Sequence, residues 1–388
     1  MTVKVPSTLR RLQIAHLLFG MMFWYGIEQL FLNRYLHTDS ARGYLTVAFT
    51  VSVLIFDIPC GILADKFGRK KALLVGCIAQ TIGLVILGSS DSLTQYIIGS
   101  ILFGLFISLM NGAAQALLYD HLQLNHLAHT YSRQQGSVYA MFLVGAGIAN
   151  LASGFMAHSL GLRAPYYLSV IPSVLSLIVL LPIAEPPLGK EAAKWYAQLQ
   201  DVVREIKSRP RIVLFGTQFI VSELILLTIG EFGQVYILSF HVSTIALGII
   251  WSAVALFAAL GRFYAHRMHR WPRITIALYC LVLALFAYVH SWIGIVLFWI
   301  MYGYNESLSN ISETEVQDET RSEIRATLFS SVSFIGNIIA VPGIFLFNHL
   351  YINHSIYTAN TAIIVVSIAV LLVTITLSNR LPARRSVA

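Results

Sequence analysis

The sequence predicts an all-α membrane protein with twelve transmembrane helices in two pseudo-symmetric six-helix bundles. Three observations lead there. First, 57% of the residues are hydrophobic and only 11% are charged, with a mean hydropathy of +0.72. Soluble domains carry about 25% charged residues, so this chain has too little polar surface to coat a water-facing fold. A soluble enzyme, a disordered chain and a disulfide scaffold are all excluded on that ground. Second, apolar stretches of membrane-spanning length recur along all 388 residues. At about 20 residues per span the chain has room for twelve. Third, 23 of the 26 Lys and Arg residues fall on one side when the intervening loops are assigned alternately. The other side keeps only Arg34, Arg42 and Arg163.

The spans are placed at 12–33, 43–64, 71–89, 93–118, 135–158, 165–184, 212–237, 243–264, 274–290, 292–310, 324–349 and 357–378. Before the first stand Lys4, Arg10 and Arg11, with no short apolar core and no small-residue cleavage pattern. The run therefore reads as a retained helix, not a signal peptide. The fourth span carries Gly104, Ser108, Asn111 and Gln115 at helical spacing, and the fifth carries Tyr139, Gly147, Asn150 and Gly154. Such stripes line a water-filled cavity or join helices. The longest polar interruption, 185–211, separates an N-terminal bundle (1–184) from a C-terminal one (212–388). Within it Ala192–Lys207 sets Trp195, Leu199, Val202, Val203 and Ile206 among charges, the pattern of an amphipathic helix on a membrane surface. The seventh span holds Glu223 with Gly230 and Gln234 on its stripe, and the eleventh holds Ser330, Ser333 and Asn337.

The basic side of a membrane protein is cytoplasmic, which puts both termini and the central linker inside. The net charge of +8 is thus a topology signal and gives no reason to expect nucleic acid. The two halves also echo each other. Gly61 and the basic turn after it recur at Gly261, and Glu28 has a counterpart in Glu231. Repeats of this kind mark secondary transporters. The three cysteines lie in apolar runs, and the 12 His form no convincing ligand set; neither metal nor cofactor is expected.

After the second span the chain reads Gly61-Ile-Leu-Ala-Asp65-Lys-Phe-Gly68-Arg69-Lys70-Lys71. This resembles the signature loop of the major facilitator superfamily, Gly-x-x-x-Asp-x-x-Gly-Arg-Lys/Arg. The helix count, the two halves and the long linker extend the likeness over nearly the whole chain. Asp57-Ile-Pro59-Cys-Gly61 and Leu117-Leu-Tyr-Asp120 look like bacterial multidrug-type and uncharacterised members. The resemblance implies a conformational latch of Gly61, Asp65, Gly68, Arg69 and Asp120. Asp65 would face the N-terminus of the eleventh helix and Arg69 would meet Asp120. Physical chemistry agrees: Gly61 permits close helix approach, Gly68 a tight turn, and a carboxylate is favoured at a helix N-terminus. The second copy departs from the pattern, with Ala265, Met268 and His269 where Asp, Gly and Arg would stand. Glycines 136, 145 and 154 follow the spacing of the superfamily's antiporter motif, but Ala149-Asn150 replaces its Gly-Pro.

An ionisable group at membrane depth costs about 2.5–3.5 kcal/mol on insertion scales and is a functional candidate by default. The candidates are Glu28, Asp57, Glu223 and Glu231, with Glu306 near the end of the tenth span. No Lys or Arg is expected among them, so the interior reads as acidic without basic partners. A carboxylate in that setting can hold a proton near neutral pH and exchange it for a cation. Tyr25, Asn111, Gln115, Tyr139, Asn150, Gln234, Tyr302 and Asn337 are the expected cavity residues. The alternative for each acid is an interhelix hydrogen bond. The expected function is proton-coupled export of a small amphipathic or cationic compound by alternating access. A proton symporter importing a sugar, peptide or metabolite is the second possibility. A membrane-embedded enzyme or receptor is the third, disfavoured by the lack of a catalytic His/Asp cluster at helix ends. The expected partners are a small-molecule substrate, protons and the lipid of a bacterial inner membrane, and the expected state is a monomer.

Overall fold

A computed structural model describes residues 7–36, 41–127, 130–186, 204–320 and 325–378. Among them every regular element is helical. Among the described residues seven helices are long and apolar enough to cross a membrane, and two shorter ones, Ala164–Leu180 and Pro272–Tyr288, are also apolar.

Two compact units emerge from the contacts: the described residues of Met1–Ala192 with Val242–Leu256, and those of Ala193–His241 with Phe257–Ala388. The first contains α1 (Ser7–Gly20), a 3₁₀ turn (Tyr25–Ile27), α2 (Glu28–Tyr35), α3 (Ala41–Phe67), α4 (Arg69–Ser89), α5 (Leu93–Leu124), α6 (Tyr131–Leu160) and α7 (Ala164–Leu180). The second contains α8 (Pro210–Ile225), a π-helical turn (Leu226–Gly230), α9 (Gly233–Leu238), α11 (Pro272–Tyr288), α12 (Trp292–Asp318), α13 (Arg325–Asn353) and α14 (Ile356–Ser378). Helix α10 (Thr244–Met268) is divided between them after Leu256.

The seventh and first predicted spans are broken rather than continuous. The first becomes α1, the 3₁₀ turn and α2; the seventh becomes α8, the π turn and α9. Each break precedes an acid, Glu28 or Glu231, and sits beside glycine, Gly20 and Gly26 or Gly230. The predicted surface helix at 192–207 lies almost wholly outside the described residues; only its end, within the helical stretch 204–208, is described.

The packing is inverted relative to a water-soluble bundle. On α7 the buried positions include Ser169, Ser173 and Ser176, while Ile171, Val174, Leu175 and Ile178 face outward. On α4 the buried face is Ala72, Gly76, Cys77, Gln80 and Gly83, and Val75, Ile78, Ile82 and Val85 are exposed. Polar side chains satisfy one another between these two helices: Ser173 Oγ donates to Gln80 Oε1 at 3.0 Å, and the Thr81 and Ser173 hydroxyls are 2.9 Å apart. An apolar exterior around small and hydroxylated contacts is the arrangement that lipid, not water, favours.

Candidate functional site

In the first unit the 3₁₀ turn starts α2 at Glu28, whose side chain is buried at 7% exposure. Arg42, the second residue of α3, is buried at 2% and pairs with Glu28 Oε2. Tyr96 of α5 donates to Glu28 Oε1 at 2.8 Å. The Tyr96 hydroxyl also meets Tyr166 of α7 at 2.8 Å, and the Trp24 ring stacks on Tyr166. This corrects the expectation of an acidic interior without cations. Arg42 was assigned to a loop because it precedes the apolar run, but α3 begins at Ala41 and carries the guanidinium inward. Glu28 is thereby a charge-paired, hydrogen-bonded group. Neither Tyr96 nor Tyr166 was distinguishable in sequence from a packing aromatic.

The other expected residues of this unit are dispersed. Asp57 on α3 is exposed, and Ser108 of α5 donates to Val53 O, one turn before it, at 3.3 Å. Tyr25 packs edge-on against Trp24 and Trp251. Tyr139 stacks on Phe142, Asn150 is buried at 5%, and Gln115 is exposed. The side chain of Asn111 lies outside the described residues. A depression of about 590 Å³ is lined by residues including Asn33, Arg34, His158 and Thr244, and by none of the expected cavity residues.

At the turn between α3 and α4, Gly68 has φ = 114°, a conformation that glycine alone adopts without strain. Arg69 follows, pairing with Asp120 of α5 and donating to Ala116 O at 2.8 Å. The structure thus brings together Gly68, Arg69 and Asp120. Among the described residues, nothing stands within 4 Å of where a Cβ on Gly61 would be. Asp65's side chain, like the chain at 321–324, lies outside the described residues. The group includes one residue that sequence reading missed. Glu185 accepts from the backbone N–H of Lys70 at 3.1 Å and of Lys71 at 3.3 Å. It supplies negative charge at the N-terminus of α4, where the helix dipole favours it. The available signal was a lone acid just after a span, read instead as the start of a linker.

The second unit concentrates charge. Gly261 of α10 lies directly against the backbone of Gly303 on α12, leaving no room for a Cβ. Ser307 Oγ clips the crossing by donating to Gly261 O at 2.7 Å. One residue beyond the contact, Arg262 reaches Glu306 (Nη1–Oε2, 3.2 Å) and Glu313 (Nη2–Oε2, 3.2 Å). Asn305 receives the Tyr279 hydroxyl at 2.8 Å and donates to Ser222 O at 3.3 Å. That bridge sets α8 beside α12 with Glu223 and Glu306 each one residue further on. Glu231 follows the π turn, Gln234 is fully buried, Tyr302 is buried beside Gly230, and Asn337 is half-buried on α13. Sequence reading missed Glu313 and the role of Arg262, which both sit where loop charges were expected.

The sequence profile of the Major Facilitator Superfamily matches residues 12–344. Multidrug resistance protein 2 of Bacillus subtilis (strain 168) is 26% identical over 147 residues, 37% of this chain and 36% of that protein. The matched stretches span about a third to a half of the curated relatives' own length. Two solved structures share the fold over nearly the full length. The nucleoside transporter NupG has a TM-score of 0.72 at 16% identity, covering 96% of this chain and 98% of that one. A D-xylose-proton symporter has a TM-score of 0.73 at 14% identity, covering 97% and 98%.

Proposed function

The chain belongs to the Major Facilitator Superfamily, a family of membrane transporters and not of enzymes, and from that premise we propose that it exports a small amphipathic or cationic compound in exchange for protons. The carrying observation is a concentration of acid near Arg262: of three carboxylates, Glu306 and Glu313 pair with its guanidinium at 3.2 Å, and Glu223 stands on α8 where the Asn305–Ser222 hydrogen bond ties that helix to the same stretch of α12. With all three ionised the group has two uncompensated negative charges, and a proton or an organic cation relieves that excess. The two relieve it in competition, which is the requirement for exchange. Each proton moving inward across 100 mV supplies about 2.3 kcal/mol.

In this reading Glu223 is the exchanging group, with Asp57 and Glu231 as further proton carriers, and Gln234, Tyr302, Tyr25, Asn111, Gln115, Tyr139, Asn150 and Asn337 line the path. The chain forms twelve spans in two bundles rocking around a central cavity. Both termini lie in the cytoplasm of a bacterium, the protein sits in the inner membrane, and it works as a monomer. Gly61, Asp65, Gly68, Arg69 and Asp120 act as the latch, with Glu185 fixing the first turn of α4.

A proton symporter importing a sugar, peptide or metabolite is the second reading. The Glu28–Arg42 pair favours it, because a charge-paired carboxylate in the interior is what such a carrier uses. Proteoliposomes with an acidic lumen separate the two. The exchanger concentrates ethidium inside as protons leave, and Glu223→Gln lowers that rate at least about tenfold. Ethidium movement indifferent to the pH gradient refutes the export reading.

A further inference from the structure

We propose that His269 and Glu315 form a proton-controlled clasp in the second unit, engaged while the imidazole is charged and slack once it is neutral. The inference goes beyond the export reading and stands whatever solute the protein carries. It starts from the repeat. Gly61 and Gly261 align the two halves, and that alignment sets His269 where the first half has Arg69. In sequence this is a departure from the pattern, yet the position still makes a pair. Arg69 meets Asp120, one turn from the end of α5. His269 Nε2 reaches Glu315 Oε1 at 2.5 Å, close to the end of α12. The longer acid meets the shorter base. A guanidinium stays charged at every physiological pH, whereas an imidazole does not. The first pair is therefore permanent and the second conditional.

Glu315 depends on this partner. It is buried at 8% exposure, and its second oxygen, Oε2, has no hydrogen bond. The charges around it are engaged elsewhere. On α12, Glu306 and Glu313 go to Arg262 of α10, and Glu319, just past the end of the helix, goes to Arg211 of α8 at 3.3 Å. The Glu319 carbonyl also takes Arg209, which pairs with Glu205 at 2.9 Å. On α10, Arg267 lies over the Tyr264 ring and the His266 ring turns back to Phe263 O. Asp318 follows on α12, and Arg270 and Arg273 flank the start of α11. Helix α13 begins at Arg325, whose side chain lies outside the described residues. Among the described residues only His269 pairs with Glu315.

The backbone holds the ring in place. His269 N–H donates to Ala265 O at 2.8 Å, which extends the last turn of α10. Met268 O accepts from the Trp271 N–H at 3.0 Å and from Thr275 Oγ1 at 3.1 Å, which fixes the connection to α11. The charge on the ring is the part left to vary. Protonated His269 closes an ion pair, and a charge-assisted hydrogen bond is the stronger kind. Neutral His269 leaves a buried carboxylate with an ordinary hydrogen bond. The stabilisation is thus complete at acid pH and declines as the pH rises through the range in which histidine loses its charge. In the topology proposed above this end of the molecule is cytoplasmic, so the clasp responds to the pH of that compartment.

Purified full-length protein in detergent tests this. Melting temperatures of the wild type, His269→Gln, Glu315→Gln and the double variant are measured at about pH 5.5 and about pH 8, a span over which histidine changes charge. The remaining histidines titrate in every variant and cancel from the comparison. At the acid value the two single losses are expected to overlap, so that the double variant melts about 2 °C or more above the value additive losses would give. At the alkaline value that excess is expected to fall to less than half. His269→Arg supplies a charge that does not titrate, and its melting temperature relative to the wild type is expected to climb between the two pH values. An excess equal at both values means a pair indifferent to the proton, and additive losses at both mean no pair; either result overturns the proposal. If Glu315→Gln does not fold, the gap between wild type and His269→Gln decides. It is wider at the acid value if the proposal holds, and the same at both if it does not.

Discussion

Glu28 and Glu223 illustrate how two acids in similar sequence settings acquire different tasks from their neighbours. Glu28 meets Arg42 and the Tyr96 hydroxyl in a buried site. Removing one member of such a pair strands the other charge, at a cost of about 3–5 kcal/mol. Arg42→Ala is therefore expected to lower the melting temperature in detergent sharply, and Arg42→Gln with Glu28→Gln to recover much of the loss. Full stability in Arg42→Ala would contradict the pairing. Glu223 has no ion pair among the described contacts, and in the export reading proposed above Glu223→Gln is expected to spare thermal stability while abolishing the response to a pH gradient. The sequence made Glu28, Asp57, Glu223, Glu231 and Glu306 visible, because a carboxylate in an apolar run is conspicuous by its cost. It could not sort them. Arg42 and Arg262 each stand at a helix end, where charge is ordinary, and only the packing of the helices turns one onto Glu28 and the other onto Glu306 and Glu313.

At the scale of elements, glycines decide how closely helices pass. Gly261 against Gly303 and Gly20 against the Phe142 carbonyl admit no Cβ. Gly261→Val is expected to separate α10 from α12 and break the Ser307 clip. Its measured signs would be a lower melting temperature and the loss of proton-linked cation binding together. Gly61, the glycine of the recognised motif, meets nothing within 4 Å among the described residues, and against those neighbours Gly61→Ala should leave stability within about 0.5 kcal/mol, as for substitutions away from special features. Gly68 differs from both. Its positive φ and the Glu185 carboxylate beside it predict that Gly68→Ala destabilises the α3–α4 turn, while Glu185→Gln forfeits about 0.3–1 kcal/mol of dipole interaction. Equal melting curves for wild type and Gly68→Ala would refute that account. The breaks in the first and seventh spans were invisible to a hydropathy window, since α1 with α2, and α8 with α9, read as unbroken apolar runs. Spacing made a polar stripe on α5 visible, and of that stripe Gly104 meets Ser52 while Ser108 donates to Val53 O at 3.3 Å.

For the whole molecule, composition established the solvent before any motif was read. With 11% charged residues the chain must turn apolar side chains outward, and the exposed Ile78, Ile82 and Ile178 against buried Ser173 and Gln80 realise that inversion. The signature loop then identified the superfamily. The substrate stayed hidden because it depends on which side chains several separate helices bring together, and no spacing along one chain encodes that. Proton coupling is the property of the whole molecule that the proposed export reading requires. Its most direct measurement uses proteoliposomes loaded with a pH-sensitive dye, with ethidium added outside under a clamped membrane potential and no initial pH gradient. The account predicts that ethidium entry drives protons out, so the lumen turns alkaline at a rate that Glu223→Gln eliminates. A lumen that turns acidic with solute entry, or one that stays unchanged while ethidium moves through the wild-type protein, would contradict it.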